Sequence, residues 1–229
     1  MMGATKIMVI RHGEKPGTYN GQPYAGVDAT GNTCGSSGAE HLVTLGWERA
    51  GGLVTLFAPP WGPKSPTLAI PQFLFASNPT ATDAEDGADS SDGDGPSQRP
   101  YETITPVAAA LGSGSTAMAI NQSFAKKDYK DMVAAAVACA GVVLISWQHQ
   151  DIPWADNKGK PGISQRILLE TGTSGNPFKI PQAWPSGPQG ARYDLVWVFD
   201  RPSGSGAITG FALFAQMLLA GDTAAPNLS

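Results

Sequence analysis

Cysteine is almost absent from this 229-residue chain: Cys34 and Cys139 are the only two. That excludes a disulfide framework and a four-thiolate metal site. Cys139 sits in the apolar run "AAAVACAGVVLI" and reads as a buried thiol. Charge is also sparse, at 15% of residues, with a formal net charge of −4. A chain with no basic excess gives no electrostatic case for nucleic acid or an anionic membrane as partner. Long apolar runs are missing too, and Val142–Ile145 is far too short to span a bilayer. The first apolar strand begins within five residues of Met1, so a separate leader region is not expected. The expected setting is cytoplasmic. There is no internal repeat and no linker that splits residues 1–229, which read as a single domain.

What the chain does have is a hydrophobic content of 41%, enough for a packed core. Lys6 to Ile10 reads as a short buried strand, because consecutive apolar residues without alternation suit a central parallel position. Residues 17–38 are rich in Gly, Thr, Asn and Ser and read as a loop. Leu42 to Phe57 reads as a helix with Leu42, Leu45, Ala50, Leu53, Val54 and Phe57 on one face, stopped by Pro59 and Pro60. Phe73 to Ala76 is a second buried strand. Ser97 is placed to cap a helix that buries Thr103, Val107, Ala110 and Leu111. Ala117 to Ile120 is a weaker strand, Asp128 to Ala140 an Ala-rich helix closed by Gly141, and Val142 to Trp147 a strong strand. Ser164 to Glu170 is a short helix, "YDLVWVFDR" (193–201) an alternating strand, and Ile208 to Met217 an edge strand pairing back on it. Strands alternating with helices predict an α/β domain with a mostly parallel sheet.

In such sheets ligands gather beyond the carboxyl ends of the strands. The first strand ends in Arg11-His12-Gly13. The second ends in Ser77-Asn78 and leads on to Arg99 at a helix start. The fourth ends in "SWQHQD", which supplies His149. If these strands are parallel, two histidines and two arginines converge on one cleft. Arginines are permanently cationic and fork-shaped, matched to phosphate oxygens, and a helix N-terminus adds backbone N–H groups. A histidine among such cations loses its proton, since like charges disfavour the imidazolium. A neutral imidazole is a nucleophile, so His12 is suited to attack phosphorus and carry the group covalently. Gly13 is expected to leave room for the substrate and let the chain turn.

The motif "RHGEKP" after an apolar strand resembles the RHG motif of the histidine phosphatase superfamily, the phosphoglycerate-mutase-like fold. "LVTLGWERAGGL" resembles its first helix, "SQRPYETITPVAAAL" its second-arginine segment and "VVLISWQHQDIP" its second-histidine strand. Together these cover about residues 5–155 in the expected order. The resemblance implies a three-layer α/β/α sandwich and hydrolysis of phosphate monoesters through a phosphohistidine on His12. Arg11, Arg99 and His149 would bind the phosphoryl oxygens, with Gly13 and Lys15 beside them. No metal and no cofactor is implied. The implied partner is a small phosphorylated molecule or a phosphoprotein. A mutase-type phosphoryl transferase and a non-catalytic phosphate or phosphopeptide module are the alternatives.

The chain departs from the family pattern at the acid that protonates the leaving oxygen. Where one branch has a Glu after the third strand, "AINQSFAKKD" has none. Where another has an Asp directly after the second His, Gln150 intervenes before Asp151. Asp151 is the first choice of donor, Glu14 the second, and a carboxylate of the 83–95 loop the third. That loop, "DAEDGADSSDGDG", carries five Asp, one Glu and no base, and forms the centre of an acidic insertion at about 78–98. It does not meet the spacing of a calcium-binding EF-hand. His41 reads as a structural residue at a helix start, and Trp147, Trp154 and Trp197 as core or cleft wall.

Overall fold

The computed structural model describes residues 2–19, 21–63, 65–81, 96–187 and 190–228. Its frame is a six-stranded sheet of β1 (Lys6–Arg11), β4 (Phe73–Ala76), β5 (Ile120–Asn121), β6 (Val142–Trp147), β7 (Leu195–Asp200) and β8 (Gly210–Ala215). A separate small hairpin joins β2 (Gly17–Tyr19) to β3 (Gln22–Tyr24). Four helices accompany the sheet: α1 (Thr44–Phe57), α2 (Arg99–Leu111), α3 (Tyr129–Ala138) and α4 (Ile163–Glu170). The spatial order is β5-β4-β6-β1-β7-β8. The first four strands of that order are mutually parallel, whereas β7 runs antiparallel to β1 and β8 antiparallel to β7. The fold is therefore mixed α/β around a mostly parallel sheet.

The strands alternate between two apolar clusters because successive side chains leave opposite faces. Ile7, Val9, Val143, Ile145, Trp147, Trp197 and Phe199 join α3 and α4 residues such as Met132, Val133, Ile163 and Ile167. Met8, Ile10, Leu144, Val196 and Val198 join Leu53, Phe57, Ile104 and Val107 of α1 and α2. Both faces of β1 are thus covered, which explains why its sequence shows no polar alternation. Each fully buried side chain of this size contributes about 1.5–3 kcal/mol. Trp184 stacks on Trp197, with ring centroids 5.4 Å apart.

Several boundaries differ from the sequence expectation for local reasons. Helix α1 begins at Thr44 because Val43 is extended, and the N–H groups ahead of the helix are taken up by neighbours: Leu42 N–H donates to the Glu102 carboxylate (2.9 Å) and Val43 N–H to the Glu14 carbonyl (3.1 Å). Ser97 does not cap α2. The cap position is Gln98, and Ser97 Oγ instead accepts from Arg99 Nε at 2.9 Å. Helix α3 stops at Ala138, three residues before Gly141, which has φ of +150°. The predicted loop at 17–38 contains the β2–β3 hairpin and a six-residue 3₁₀ helix, Gly35–Glu40. Cys139 is only half buried, its Sγ donating to the Ala135 carbonyl at 3.4 Å. The acidic stretch 83–95 lies outside the described residues. None of the described helices is long and apolar enough to cross a membrane.

Candidate active site

Because β1, β4 and β6 are parallel, their carboxyl ends share one edge of the sheet. The ladder between β1 and β6 continues one step past the strand, where His12 N–H donates to the Trp147 carbonyl at 3.0 Å. The backbone of His12 is therefore fixed by the most buried part of the sheet. Beside it lies a cleft of about 310 Å³. His12, Lys15, Arg99 and His149 line this cleft together, along with Glu40, Ser97, Lys126 and Gln148.

The hydrogen bonding of His12 defines its tautomer. Its Nδ1 is 2.7 Å from the Gly13 carbonyl oxygen. A carbonyl only accepts, so Nδ1 carries the proton and Nε2 keeps its lone pair. The ring is 4% exposed. Burial, then the charges of Arg99 and Arg11, push its pKa well below the ordinary histidine value, and the Gly13 bond only partly opposes this. His149 is pushed down to about 3, by burial first and then by Arg11, Lys15 and Arg99. Its Nδ1 has no hydrogen-bond partner among the described residues. Both rings are neutral near pH 7.

The cations around the cleft are held in place by their neighbours. Arg11 is 2% exposed and is not part of the cleft wall. Its guanidinium carbon lies 3.8 Å from the centre of the Tyr193 ring, and its Nη1 donates to the Arg192 carbonyl at 2.8 Å. Arg99 is fixed by Ser97 through Nε and by Glu40 through Nη2, the latter at 3.2 Å. Lys15 has its pKa lowered by burial and by Arg99 and Arg11. Lys126 is 5% exposed, and its carbonyl accepts from Trp147 Nε1 at 3.1 Å, which ties it to β6. A guanidinium stays charged even when burial lowers its pKa, as it does for both arginines. The result is a concave wall of fixed positive charge around two uncharged imidazoles. Among the described residues, no three His, Cys, Asp or Glu side chains come together as a metal-ligand set.

Of the three proton donors expected, Asp151 and Glu14 are absent from the cleft wall and the carboxylates of the 83–95 loop lie outside the described residues. Asp151 is 0% exposed and accepts from Lys127 Nζ (3.3 Å) and from Gln148 Nε2. Burial raises its pKa, the direction a general acid needs, yet it is not part of the cleft wall. Glu14 is gripped by Arg49, whose Nε and Nη2 reach it at 2.7–3.1 Å. Arg49 also binds Asp222 at 2.8 Å, so Glu14 belongs to a buried ionic network. That network lines a larger cavity of about 470 Å³, which shares Lys15 and Pro16 with the cleft.

Gly13 has a different role from the one its sequence suggests. A Cβ there would lie 3.0 Å from the Gly46 carbonyl oxygen and 3.2 Å from Gly46 Cα. The space beside Gly13 is thus filled by α1, and its N–H donates to Thr103 Oγ1 of α2 at 2.8 Å. Missing side chains at 13 and 46 let the end of β1 dock on the helix. His41 pairs through Nδ1 with Glu102 at 2.6 Å, a structural contact.

Four residues of this region escape sequence reading: Glu40, Lys126, Arg192 and Tyr193. Glu40 stands at the end of a 3₁₀ helix in a Gly/Ser-rich stretch with no apolar period. The aromatic ring just before β7 was the one available signal for Tyr193. No model of a known protein family matches the chain, and no curated protein matches it.

Proposed function

We propose that this protein is a metal-independent phosphomonoesterase that works through a covalent phosphohistidine on His12, a member of the histidine phosphatase superfamily with the three-layer phosphoglycerate-mutase-like fold. The observation that carries the reading is the state of His12. Its Nδ1 proton is spent on the Gly13 carbonyl, so Nε2 keeps its lone pair, and the ring lines a cleft walled by Lys15, Arg99 and Lys126. The two apolar clusters on the two sheet faces support the three-layer arrangement. In the first step Nε2 attacks phosphorus in line with the leaving oxygen, and the N–P bond forms as the P–O bond breaks. Arg99, Lys15 and His149 interact with the equatorial oxygens, where charge gathers. Arg11 acts from beneath by keeping both imidazoles unprotonated. Water then attacks phosphorus, phosphate leaves, and the electron pair returns to Nε2. A cytoplasmic setting belongs to the same proposal.

The test is turnover of p-nitrophenyl phosphate by the wild type and by His12→Ala, together with trapping of phosphorylated protein by an alkaline detergent quench. Turnover and an acid-labile, base-stable phosphoprotein, both lost in His12→Ala, are the expected result. Phosphate binding without turnover in either protein would favour a binding module.

Lys15 favours a second reading, because a further cation in the cleft suits a substrate with a second anionic group. A mutase-type transferase would pass its phosphoryl group to such a substrate's hydroxyl rather than to water. The partition between phosphate release and transfer, followed with a phosphorylated hydroxy acid, separates the two.

A further inference from the structure

The phosphatase reading, on which the following rests, leaves open which group among the described residues protonates the leaving oxygen. Glu14 is 3% exposed and chelated by Arg49, and Asp151 is 0% exposed and chelated by Gln148 and Lys127. Glu102 is held by His41 and by the Leu42 N–H, and it is absent from the cleft wall. Among the described residues one carboxylate lines the cleft, that of Glu40. Its side chain is 41% exposed, so it is open to substrate and water. Its backbone is anchored on the segment that carries Arg99, since Gln98 N–H donates to the Glu40 carbonyl at 3.0 Å and Ser97 Oγ to the same oxygen at 3.4 Å. Glu40 and Arg99 are therefore delivered to the cleft as one unit.

We propose that Glu40 is the acid–base residue of this cleft. Its carboxyl proton passes to the leaving oxygen while the phosphoryl group passes to His12 Nε2. The resulting carboxylate accepts a proton from the water that displaces the phosphoryl group from nitrogen, which restores the starting acid and releases phosphate. The contact at 3.2 Å between Glu40 and Arg99 sets the carboxyl group beside the guanidinium that would hold the phosphoryl group. Among the described residues that line the cleft, the other charged and titratable groups are Arg99, Lys15, Lys126, His12 and His149.

A general acid matters in proportion to the basicity of the leaving oxygen, and its removal typically costs 10²–10⁴-fold. The experiment compares p-nitrophenyl phosphate with glycerol phosphate for wild type, Glu40→Gln and Glu40→Asp, over pH 4–8. For Glu40→Gln we expect a loss of about 10²-fold or more on glycerol phosphate and less than about tenfold on p-nitrophenyl phosphate. The fall of the wild-type glycerol phosphate rate at high pH should disappear in that variant, and Glu40→Asp should recover part of the rate. Equal losses on both substrates with a raised KM would mean that Glu40 only positions Arg99 and would overturn the proposal. So would a Glu40→Gln protein that hydrolyses glycerol phosphate at the wild-type rate. These results are distinct from failure of the phosphatase reading, which would show as absence of His12-dependent turnover of either ester by the wild type and would remove Glu40's role with it.

Discussion

Arg49 holds Glu14 through both Nε and Nη2, two residues beyond His12. Its Nη1 and Nη2 also reach Asp222, and Nη1 reaches Gln216. All of the charges in this set are at most 6% exposed. Breaking a buried pair by removing one partner costs about 3–5 kcal/mol, because the other charge stays buried and unpaired. Arg49→Met and Glu14→Gln should each lower the urea unfolding free energy by about that amount. If Glu14 is structural, Glu14→Gln should lose no more activity on glycerol phosphate than on p-nitrophenyl phosphate.

The two cleft histidines tie stability to pH. His149 has a folded value of about 3 against about 6.5 when unfolded. Between those values the unfolded chain binds more protons, so stability rises with pH. The contribution is complete above about pH 6.5 and is lost as pH falls toward 3, at up to about 1.4 kcal/mol per pH unit. His12 acts in the same direction. Asp151 and Glu102, whose values are raised by burial, act in the opposite one. Urea midpoints for wild type and His149→Asn from pH 4 to 7 should converge in acid and separate toward neutrality, once the packing difference at pH 4 is subtracted.

Removing a cation should return basicity to the rings. Lys15 and Arg99 both depress His149, and Arg99 is the leading charge acting on His12. Lys15→Met should move the His149 midpoint upward from about 3, and Arg99→Met should raise that of His12, both followed by imidazole NMR titration. Inorganic phosphate should raise both midpoints, so its binding takes up protons. Affinity for phosphate should then weaken as pH rises between the free and bound midpoints.

The contact between Gly13 and Gly46 predicts a steric effect. A methyl group at Gly46 would lie 2.7 Å from the Glu14 carbonyl oxygen and 3.0 Å from its nitrogen, and one at Gly13 would lie 3.0 Å from the Gly46 carbonyl oxygen. Overpacking of this kind costs about 1–3 kcal/mol. Gly46→Ala, which meets backbone at the shorter distance, should lower the Tm more than Gly13→Ala.

The sheet was legible because its strongest strands are local apolar runs: "KIMVI" and "VVLISW" name β1 and β6, and their polar ends name His12 and His149. The antiparallel partner β8 was legible from the turn "SGSG" ahead of it. Glu40, Lys126 and Tyr193 were not, because each reaches the site through tertiary packing of loops with no period. The β2–β3 hairpin was missed for a similar reason, since its Gly-, Thr- and Gln-containing strands carry no buried face. Ser97 has the chemistry of a helix cap but serves Arg99, a choice that depends on where the guanidinium goes rather than on the serine. Gly13 was misread because the neighbour that fills its space lies 33 residues further on, in α1.

Arg11 rests on a ring and a carbonyl supplied by Tyr193 and Arg192, the latter 181 positions along the chain. Arg49 binds a carboxylate 173 positions away. During synthesis at about 5–20 residues per second, the opening segment waits roughly 10–40 seconds for these counterparts to leave the ribosome. A nascent chain shortened before residue 192 carries Arg11 without the ring and carbonyl it packs on, and Arg49 with Glu14 but without Asp222. The charged surroundings of the end of β1 are therefore completed by segments made much later in translation.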